Sequence, residues 1–314
     1  MAKPLLRLWE EKMLVRRSNL IVPVVKEKFV EKSWQRNADA ITLDMEDGVA
    51  PDMKDTARKC VKDAIRTANL GGADVLVRVN NIPGMLEEDL DACVWPGLRG
   101  LAVPKIEDPD NIYLLEELLD KLEAERGIEK GSIKTTLAFE SAYGYLHMNE
   151  LVPLCKRAES MGLGKEDFTN DVGITSNDPM ALFNPMMNIV ITARAFNLHP
   201  RGVMGKVSSY KDLDGLSVIA KQAYEYGFRG AACVHPGQVE VLNNAYRPAE
   251  DKVKYAFRVV EAFQEALRQG VGAIGLDGKM VDKPVAERAQ KVLDMHNEIE
   301  AFQEKKNKVF ADNA

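Results

Sequence analysis

The sequence contains few cysteines, and they lie far apart. The four of them, at Cys60, Cys93, Cys155 and Cys233, form no Cys-x-x-Cys pair and have no histidine beside them at metal-ligand spacing. A zinc site and a disulfide framework are therefore not expected. The chain also lacks an apolar run of transmembrane length, and residues 1–15 lack the long apolar core of a secretory signal. We expect a cytoplasmic protein, with import into an organelle left open.

The sequence has no excess of positive charge either. Its 42 basic and 48 acidic residues give a net charge of −6, so the chain as a whole is not attracted to nucleic acid or to an anionic membrane. With 46% hydrophobic and 29% charged residues, the 314-residue chain has the composition of a soluble globular protein. This length predicts one large domain or two of moderate size.

Apolar, β-branched runs recur along the chain at intervals of roughly thirty residues, and helical patterns lie between most of them. One such helical pattern covers residues 111–126, where leucines follow helical spacing. Alternating strands and helices predict a parallel sheet, and eight such units close naturally as an α/β barrel of the (β/α)8 or TIM type. The eight runs are 20–24, 40–46, 75–80, 100–105, 134–140, 158–164, 201–205 and 230–235.

An open, doubly wound sheet is the main alternative to the barrel. Such a sheet usually carries a glycine-rich phosphate-binding turn after its first strand. The segment that follows Pro23 reads VVKEKF and contains no glycine. The sequence therefore favours the barrel.

The pattern changes after Pro248. Residues 250–270 and 284–305 read as two charged amphipathic helices, separated by the glycine-rich turn GVGAIGLDGKMVDKP. We therefore expect a barrel domain at 1–248 and an appended C-terminal helical segment at 249–314. That segment is either a cap packed on the barrel or a functional lid.

Charged residues stand at the ends of several predicted strands, which is where the active site of an α/β barrel lies. Side chains two residues apart in a strand share a face, which pairs Asp44 with Glu46 and Arg78 with Asn80. Any one of these residues alone is typical of a salt-bridged strand end. Together with the later members they predict a polar site at one rim, and those members are Lys105, Glu140 and Asp167.

The acids of this rim have no cysteine or histidine among them, which favours a hard cation such as Mg²⁺. Glu140 and Asp167 come from consecutive strand units, so we expect both to reach a single ion. Arg78 offers a planar fork of donors that is always protonated, and this fork suits a carboxylate or an oxygen on which charge develops.

The order of motifs carries a family resemblance over residues 16–289. The motifs are RRSNLIVP, DAITLDMEDGV, VLVRVN, VPKIE, FESAYG, GLGKEDF, HPGQVEVLNNAY and LDGKMVDKPV. In this series the chain resembles the citrate lyase β-subunit-like family of the HpcH/HpaI aldolase superfamily, which includes malyl-CoA and citramalyl-CoA lyases. The resemblance implies a (β/α)8 barrel that binds Mg²⁺, or Mn²⁺, and breaks or makes a carbon–carbon bond beside a thioester of coenzyme A (CoA).

The resemblance also implies roles for individual residues. Glu140 and Asp167 become metal ligands, Arg78 the electrophilic arginine, and Asp282 in MVDKP an acid/base that often comes from a neighbouring subunit. A homo-oligomer, trimeric or hexameric, is therefore expected. Contacts with the substrate or with CoA are predicted for four further residues, which are Glu46, Asp47, Lys105 and Arg17. For Arg17 the alternative interpretation is that it belongs to a solvated basic face of the protein.

Three functional interpretations follow from these observations. The leading one is a stand-alone Mg²⁺-dependent acyl-CoA lyase. The alternatives are the β subunit of a citrate lyase complex, acting on an acyl-carrier-protein thioester, and a non-catalytic barrel subunit. Two positions depart from the family pattern, with Val24 in the place of a glycine and Met204 in the place of an aspartate, and both bear on the choice of substrate.

Overall fold

Eight parallel strands form the centre of the fold. The computed structural model describes residues 14–176, 178–205 and 210–313. Each of the eight predicted runs contains part of a strand, and the predicted α/β barrel is confirmed. The strands are β1 (Ser18–Pro23), β2 (Ala40–Asp44), β3 (Asp74–Arg78), β4 (Gly100–Val103), β5 (Lys134–Phe139), β6 (Ala158–Leu163), β7 (His199–Arg201) and β8 (Ala231–Cys233).

The sheet closes into a barrel through its two terminal strands. Its order is β7-β6-β5-β4-β3-β2-β1-β8, which leaves β7 and β8 at the ends. Two backbone hydrogen bonds join these ends: the Arg229 amide donates to the Pro200 carbonyl, and the Gly202 amide to the Gly230 carbonyl, each at 2.9 Å. The other neighbours share longer ladders, so this joint is held by fewer backbone bonds.

Helices cover the outside of the barrel. The predicted helix at 111–126 is found as α4, which starts with Pro109 and is capped by Asp108, whose carboxylate accepts the Asp110 amide at 2.9 Å. The helices are α1 (Glu27–Ser33), α2 (Lys54–Ala68), α3 (Met85–Cys93), α4 (Pro109–Glu125), α5 (Ala142–Leu146), α6 (Met148–Leu151), α7 (Lys165–Val172), α8 (Phe183–Ala195), α9 (Leu213–Glu225) and α10 (Gly237–Ala245).

Successive side chains of a strand point alternately to the apolar core and to the barrel interior. In β2 and the residue after it, Leu43 and Met45 are buried in the apolar core. Thr42, on the opposite face of β2, hydrogen-bonds through Oγ1 to Asn19 Oδ1 at 2.9 Å. Because Asp44 shares the face of Thr42, its carboxylate is presented on the inner side of the barrel at the carboxyl end of the strands.

The C-terminal segment contains a hairpin between its helices. The segment consists of α11 (Glu250–Arg268), β9 (Ile274–Leu276), β10 (Lys279–Val281) and α12 (Lys283–Asn313). The glycine-rich turn predicted between two helices is thus partly a two-stranded hairpin. At its tip Asp277 and Gly278 have φ values of 50° and 74°, as a type I′ turn requires. This segment has its own apolar core, around Val259 and Phe263.

Residue contacts divide the described chain into two units. One contains Arg16–Tyr246 and residues 306–313, and the other contains residues 14–15 and Arg247–Lys305. Within the described ranges, no helix is both long enough and apolar enough to cross a membrane.

The last residues of α12 are fixed to the barrel by a buried lysine. Lys306 Nζ donates to Asp39 Oδ1 at 2.8 Å and to the Asn37 carbonyl at 3.0 Å, and its side chain is only 3% exposed. Burial raises the pKa of Asp39, but the hydrogen bond from Arg17 and the charge of Lys306 outweigh burial and lower the pKa overall. Asp39 is thus an ionised carboxylate shared by two cations.

Candidate active site

A bidentate ion pair lies at the carboxyl ends of β2 and β3. Asp44 and Arg78 are opposite each other in the strand register. Arg78 donates from Nε to Asp44 Oδ1 and from Nη2 to Asp44 Oδ2, both at 2.7 Å. The pairing fixes the plane of the guanidinium group, because two parallel hydrogen bonds leave it little rotational freedom.

The same carboxylate also shapes the loop that follows β2. Its Oδ1 accepts the Glu46 amide at 3.0 Å, and its Oδ2 accepts the Gly48 amide at 2.9 Å. A side-chain carbon at Gly48 would collide with Asp44 Oδ2, so this close approach requires glycine. Asp44 is 1% exposed. We conclude that Asp44 positions its neighbours and is not itself open to a ligand.

Glu46 links two cations at the mouth of the barrel. Its Oε1 accepts a hydrogen bond from Lys105 Nζ at 2.7 Å, and its Oε2 lies 3.0 Å from Arg78 Nη1. Lys105 follows β4 with a φ of 51°, a left-handed conformation that is uncommon for a residue with a side chain and that tends to occur at functional sites. Asp47 Oδ1 lies 3.9 Å from Lys105 Nζ. The structure therefore brings Glu46, Asp47, Lys105 and Arg78 together.

Both cations of this group stay charged. Burial alone lowers the pKa of Arg78, but the hydrogen bonds and charge of Asp44 raise it above its ordinary value overall. Lys105 follows the same pattern, because its hydrogen bond to Glu46 outweighs the effect of burial and raises its pKa. The side chains remain 22% and 41% exposed, respectively, so both positive charges are accessible from the mouth.

Lys54 supports the loop that follows β2, a role that the pattern of charged strand ends does not predict. Its Nζ donates to the Met45 carbonyl at 2.8 Å, to the Glu46 carbonyl at 2.7 Å and to Asn80 Oδ1 at 2.8 Å. Asn80 is held in turn by Asp89, whose Oδ2 accepts the Asn80 amide at 2.8 Å. Lys54 is the first residue of α2, so a search of strand ends does not reach it.

We expect Lys54→Met to destabilise the fold by about 1–3 kcal/mol, because two backbone carbonyls and an amide oxygen lose their donor in a partly buried loop. Urea denaturation followed by circular dichroism measures the change in the free energy of unfolding. Lys59→Met, at an exposed position on the same helix, is the matched control and should leave stability within experimental error. Equal stability of the two variants would contradict the structural role of Lys54.

A second group of acids lies on the next strands of the barrel. Glu140 directly follows β5, and Asp167 lies in the first turn of α7, which follows β6. Glu140 packs over Gly164, where an added side-chain carbon would be 2.5 Å from Glu140 Cγ and 2.7 Å from Cδ. Only glycine leaves Glu140 this position.

The environment of Glu140 is unfavourable for its negative charge. Burial, then repulsion from Glu46 and Asp167, raises the pKa of Glu140 to about 8. Its Oε2 is buried and has no hydrogen-bond partner in the part of the chain that the structure describes. A buried oxygen without a donor, close to two further carboxylates, is an arrangement that a bound cation would satisfy.

The oxygen donors in this group fit a hard divalent cation. Mg²⁺ typically takes one or two carboxylates and completes its octahedron with water and substrate oxygens. Within residues 14–176, 178–205 and 210–313, no group of three or more His, Cys, Asp and Glu side chains converges at metal-binding distance. An ion at this site would therefore take at most two carboxylates from the described residues and leave its remaining positions to water and substrate.

The residues after Glu140 are held by hydrogen bonds to the loop that follows β4 and to α7. Ser141 caps α5 by accepting the Gly144 amide at 3.1 Å, and its hydroxyl donates to Glu107 Oε2 at 2.5 Å. Asp171 accepts the Ala142 amide at 2.7 Å. These contacts fix the backbone from which Glu140 projects.

One of the predicted site residues, Arg17, lies apart from this rim. Arg17 precedes β1, at the opposite end of the strands, and donates to both oxygens of Asp39, from Nε at 2.7 Å and from Nη2 at 3.0 Å. Its side chain is 5% exposed. Asp282 belongs to the C-terminal unit, where its Oδ1 accepts the Val285 amide at 3.2 Å at the start of α12. The structure does not bring Arg17 together with Glu140 and Arg78.

The two positions that depart from the family pattern are buried. Val24 packs in the core and donates its amide to the Asp44 carbonyl at 3.0 Å. Met204, after β7, is 5% exposed and belongs to the same apolar core. His235, at the end of β8, stacks on Tyr210 with ring centroids 5.1 Å apart.

Sequence and structure comparisons relate this chain to characterised proteins. Residues 17–236 match the family described as HpcH/HpaI aldolase/citrate lyase. The chain is 32% identical over 286 residues to citrate lyase subunit beta of Haemophilus influenzae, covering 90% of this chain and 97% of that protein. It is 30% identical over 302 residues to mitochondrial citramalyl-CoA lyase of Rattus norvegicus, covering 92% of this chain and 88% of that one.

A solved structure of similar fold adds to these matches. Protein CitE from Mycobacterium tuberculosis, in complex with magnesium, acetoacetate and coenzyme A, superposes with a TM-score of 0.69 at 26% identity, covering 89% of this chain and 97% of that chain. The family match spans more than half of the chain, and the relatives cover nearly all of it. The chain therefore belongs to the HpcH/HpaI aldolase/citrate lyase family, a family of lyases.

Proposed function

We propose that the protein is a Mg²⁺-dependent carbon–carbon lyase that acts on a 3-hydroxyacyl-CoA of the malyl-CoA or citramalyl-CoA type. The products are acetyl-CoA or another acyl-CoA and a 2-keto or aldehyde acid, and the reverse direction is a Claisen-type condensation. The observation that carries the proposal is the convergence of Arg78, held in a fixed plane by Asp44, with the unsatisfied acid Glu140 at one barrel rim.

The proposal assigns the metal ion to Glu140 and Asp167. A bound Mg²⁺, or Mn²⁺, supplies Lewis-acid polarisation and a template for the carboxylate and carbonyl oxygens of the acid. The raised pKa of Glu140 supports the assignment, because a cation would relieve the repulsion from Glu46 and Asp167 that contributes to that shift. The magnesium in the related Mycobacterium tuberculosis structure supports the choice of this metal.

Arg78 is proposed to stabilise the oxygen on which charge develops. In the cleavage direction the substrate hydroxyl loses its proton, the bond between the second and third carbons breaks, and the electron pair remains on the thioester as an enolate. Nε and one hydrogen of Nη2 are held by Asp44, and Nη1 lies 3.0 Å from Glu46 Oε2, which leaves the second hydrogens of Nη1 and Nη2 to donate to an oxygen at the mouth. Lys105, Glu46 and Asp47 line the same mouth and are proposed to orient the substrate.

Asp282 is proposed as the acid that protonates the enolate carbon, and as the base in the condensing direction. The family resemblance assigns it to the barrel of a neighbouring subunit, which would make a homo-oligomer, trimeric or hexameric, a requirement for catalysis. Its carboxylate is half-buried at the start of α12 and makes one backbone hydrogen bond, which leaves Oδ2 free of hydrogen bonds in the described chain.

Complementation between two inactive variants tests this shared site. We expect Asp282→Ala and Arg78→Ala each to be folded and nearly inactive, and a mixture under subunit-exchange conditions to recover part of the wild-type activity. Recovery is expected because a mixed oligomer pairs an intact C-terminal segment with an intact barrel. A fully active monomer, or no recovery although exchange is demonstrated, would contradict the shared site. Normal activity of Asp282→Ala would remove its acid/base role.

The reaction itself is tested by incubating the protein with a panel of 3-hydroxyacyl-CoA esters and detecting the released keto or aldehyde acid with phenylhydrazine. We expect release that depends on added Mg²⁺ and stops in excess chelator. Full activity in chelator would contradict the proposal. Acetyl-CoA with the same panel of acids tests the condensing direction.

A second candidate is the β subunit of a citrate lyase complex. It is favoured by the 32% identity to citrate lyase subunit beta of Haemophilus influenzae over 97% of that protein. The two candidates differ in the thioester carrier, so the same acyl group is offered on free CoA and on an acyl carrier protein. Turnover of the carrier-protein thioester alone would favour the complex subunit, and turnover of neither would favour a non-catalytic barrel.

A further inference from the structure

Two buried arginines, Arg16 and Arg201, are close enough for their positive charges to repel each other. Arg16 comes just before β1, and Arg201 ends β7, opposite Gly162 in β6. Arg16 pairs with Asp74 at the start of β3 and with Glu159 in β6, so its side chain reaches across the barrel interior. Both arginines are more than nine-tenths buried, with exposures of 2% and 8%.

Three nitrogen atoms of this pair lack hydrogen-bond partners. In the described part of the chain, Nη2 of Arg16 and both Nη1 and Nη2 of Arg201 are buried and donate to no protein atom. The other nitrogens of Arg16 are engaged, with Nε 2.8 Å from Asp74 Oδ2 and Nη1 hydrogen-bonded to Glu159. A buried guanidinium nitrogen without an acceptor is costly, because the group has lost its water.

The charges around these atoms do not balance. Glu159 is shared with a third cation, because Arg99 Nη2 lies 3.1 Å from its Oε2. The cluster thus contains the three cations Arg16, Arg99 and Arg201 against the two carboxylates Asp74 and Glu159. Within the described residues, Arg201 makes no ion pair of its own. Burial, followed by repulsion from Arg16, lowers the pKa of Arg201 to about 10, which leaves it charged at neutral pH.

We propose that the barrel interior binds one small monovalent inorganic anion, a chloride ion, between Arg16 and Arg201. One such ion accepts hydrogen bonds from the unpartnered nitrogens of both guanidinium groups and neutralises the single excess charge. A water molecule would accept the same hydrogen bonds but would leave the charge uncompensated. A buried site between packed strands suits a compact ion.

The position of this site gives the anion a structural effect. Arg16 precedes β1 and Arg201 ends β7, and both strands flank β8, where the barrel is joined to β7 by two backbone hydrogen bonds. An ion that holds the two arginines together therefore links the strands on either side of that joint. Because the unfolded chain has no such site, the ion stabilises the folded state by mass action.

Thermal denaturation at constant ionic strength tests the proposal. We expect the melting temperature to rise by a few degrees and then saturate as sodium gluconate is exchanged for sodium chloride. Arg201→Met removes the charge and keeps a similar length, and its melting temperature should not respond to the exchange. Arg66→Met, at an exposed helical position with a surface ion pair, is the matched control and should respond as the wild type does.

Crystals of the wild-type protein grown in bromide provide a second test that does not need a variant to fold. We expect an anomalous bromide peak within hydrogen-bond distance of Arg16 Nη2 and Arg201. A water molecule or no density at that point would overturn the proposal. A wild-type melting temperature that ignores chloride, or a chloride response that persists in Arg201→Met, would overturn it as well.

Discussion

Replacement of Arg78 with lysine is expected to lower kcat by about two to three orders of magnitude, although the positive charge is kept. Arg78 uses Nε and Nη2 to hold Asp44 and still presents further N–H groups to the mouth. A lysine has a single nitrogen at the end of a flexible chain, so it cannot bind both Asp44 oxygens in one plane and also donate to the substrate. The lysine variant keeps the positive charge but loses the fixed orientation of the hydrogen-bond donors.

Steady-state kinetics with the active CoA ester measure this effect, and the change in KM should be smaller than the change in kcat. Arg66→Lys on the outer face of α2 is the control, because its ion pair with Asp63 is exposed and should not influence turnover. Near-normal kcat in a folded Arg78→Lys protein would remove Arg78 from the proposed mechanism.

The second large effect is expected for Glu140→Gln, which should abolish Mg²⁺-dependent activity and yet stabilise the metal-free protein. In the folded state the pKa of Glu140 is raised from 4.5 to about 8, mainly by burial. Between these two pH values the unfolded chain is ionised at this position while the folded protein holds the proton. The wild-type protein therefore loses stability as the pH rises through this window, on the order of a few kcal/mol in total.

The glutamine variant cannot ionise and should escape this loss. We expect its melting temperature in chelator to equal that of the wild type near pH 4.5 and to exceed it increasingly up to about pH 8. Added Mg²⁺ should raise the melting temperature of the wild type but not of the variant. Glu150→Gln, at an exposed site, is the control and should show no such divergence. Identical pH profiles of the wild-type and Glu140→Gln proteins would show that Glu140 is not held in this environment.

The barrel and its polar rim could be predicted because both depend on local patterns. Apolar runs mark strands, and alternation within a run places Asp44 and Glu46 on one face. The exception is β7, predicted at 201–205 and found at His199–Arg201. A histidine and a proline are poor strand formers, so these residues form a strand because they pair with β6. No local sequence pattern reveals that pairing.

Other features depend on contacts between residues that are distant in sequence, or on a turn signal inside a longer glycine-rich segment. The hairpin at Asp277 and Gly278 carries the Asp-Gly pair typical of a type I′ turn, so it was readable from the sequence. The placement of Arg17 follows from β1–β2 pairing, which brings it beside Asp39 at the amino ends of the strands. In an α/β barrel that end serves stability, which explains why its guanidinium group pairs with a buried acid.

The buried contact between Lys306 and Asp39 has a consequence for the synthesis of the chain. The two residues are 267 positions apart, so Asp39 leaves the ribosome long before its second cation exists. Arg17 alone can pair with Asp39 while the barrel strands are being made. The final ion pair therefore forms only after translation has passed Lys306, and a nascent chain that stops short of Lys306 carries an incompletely neutralised acid beneath its first strands.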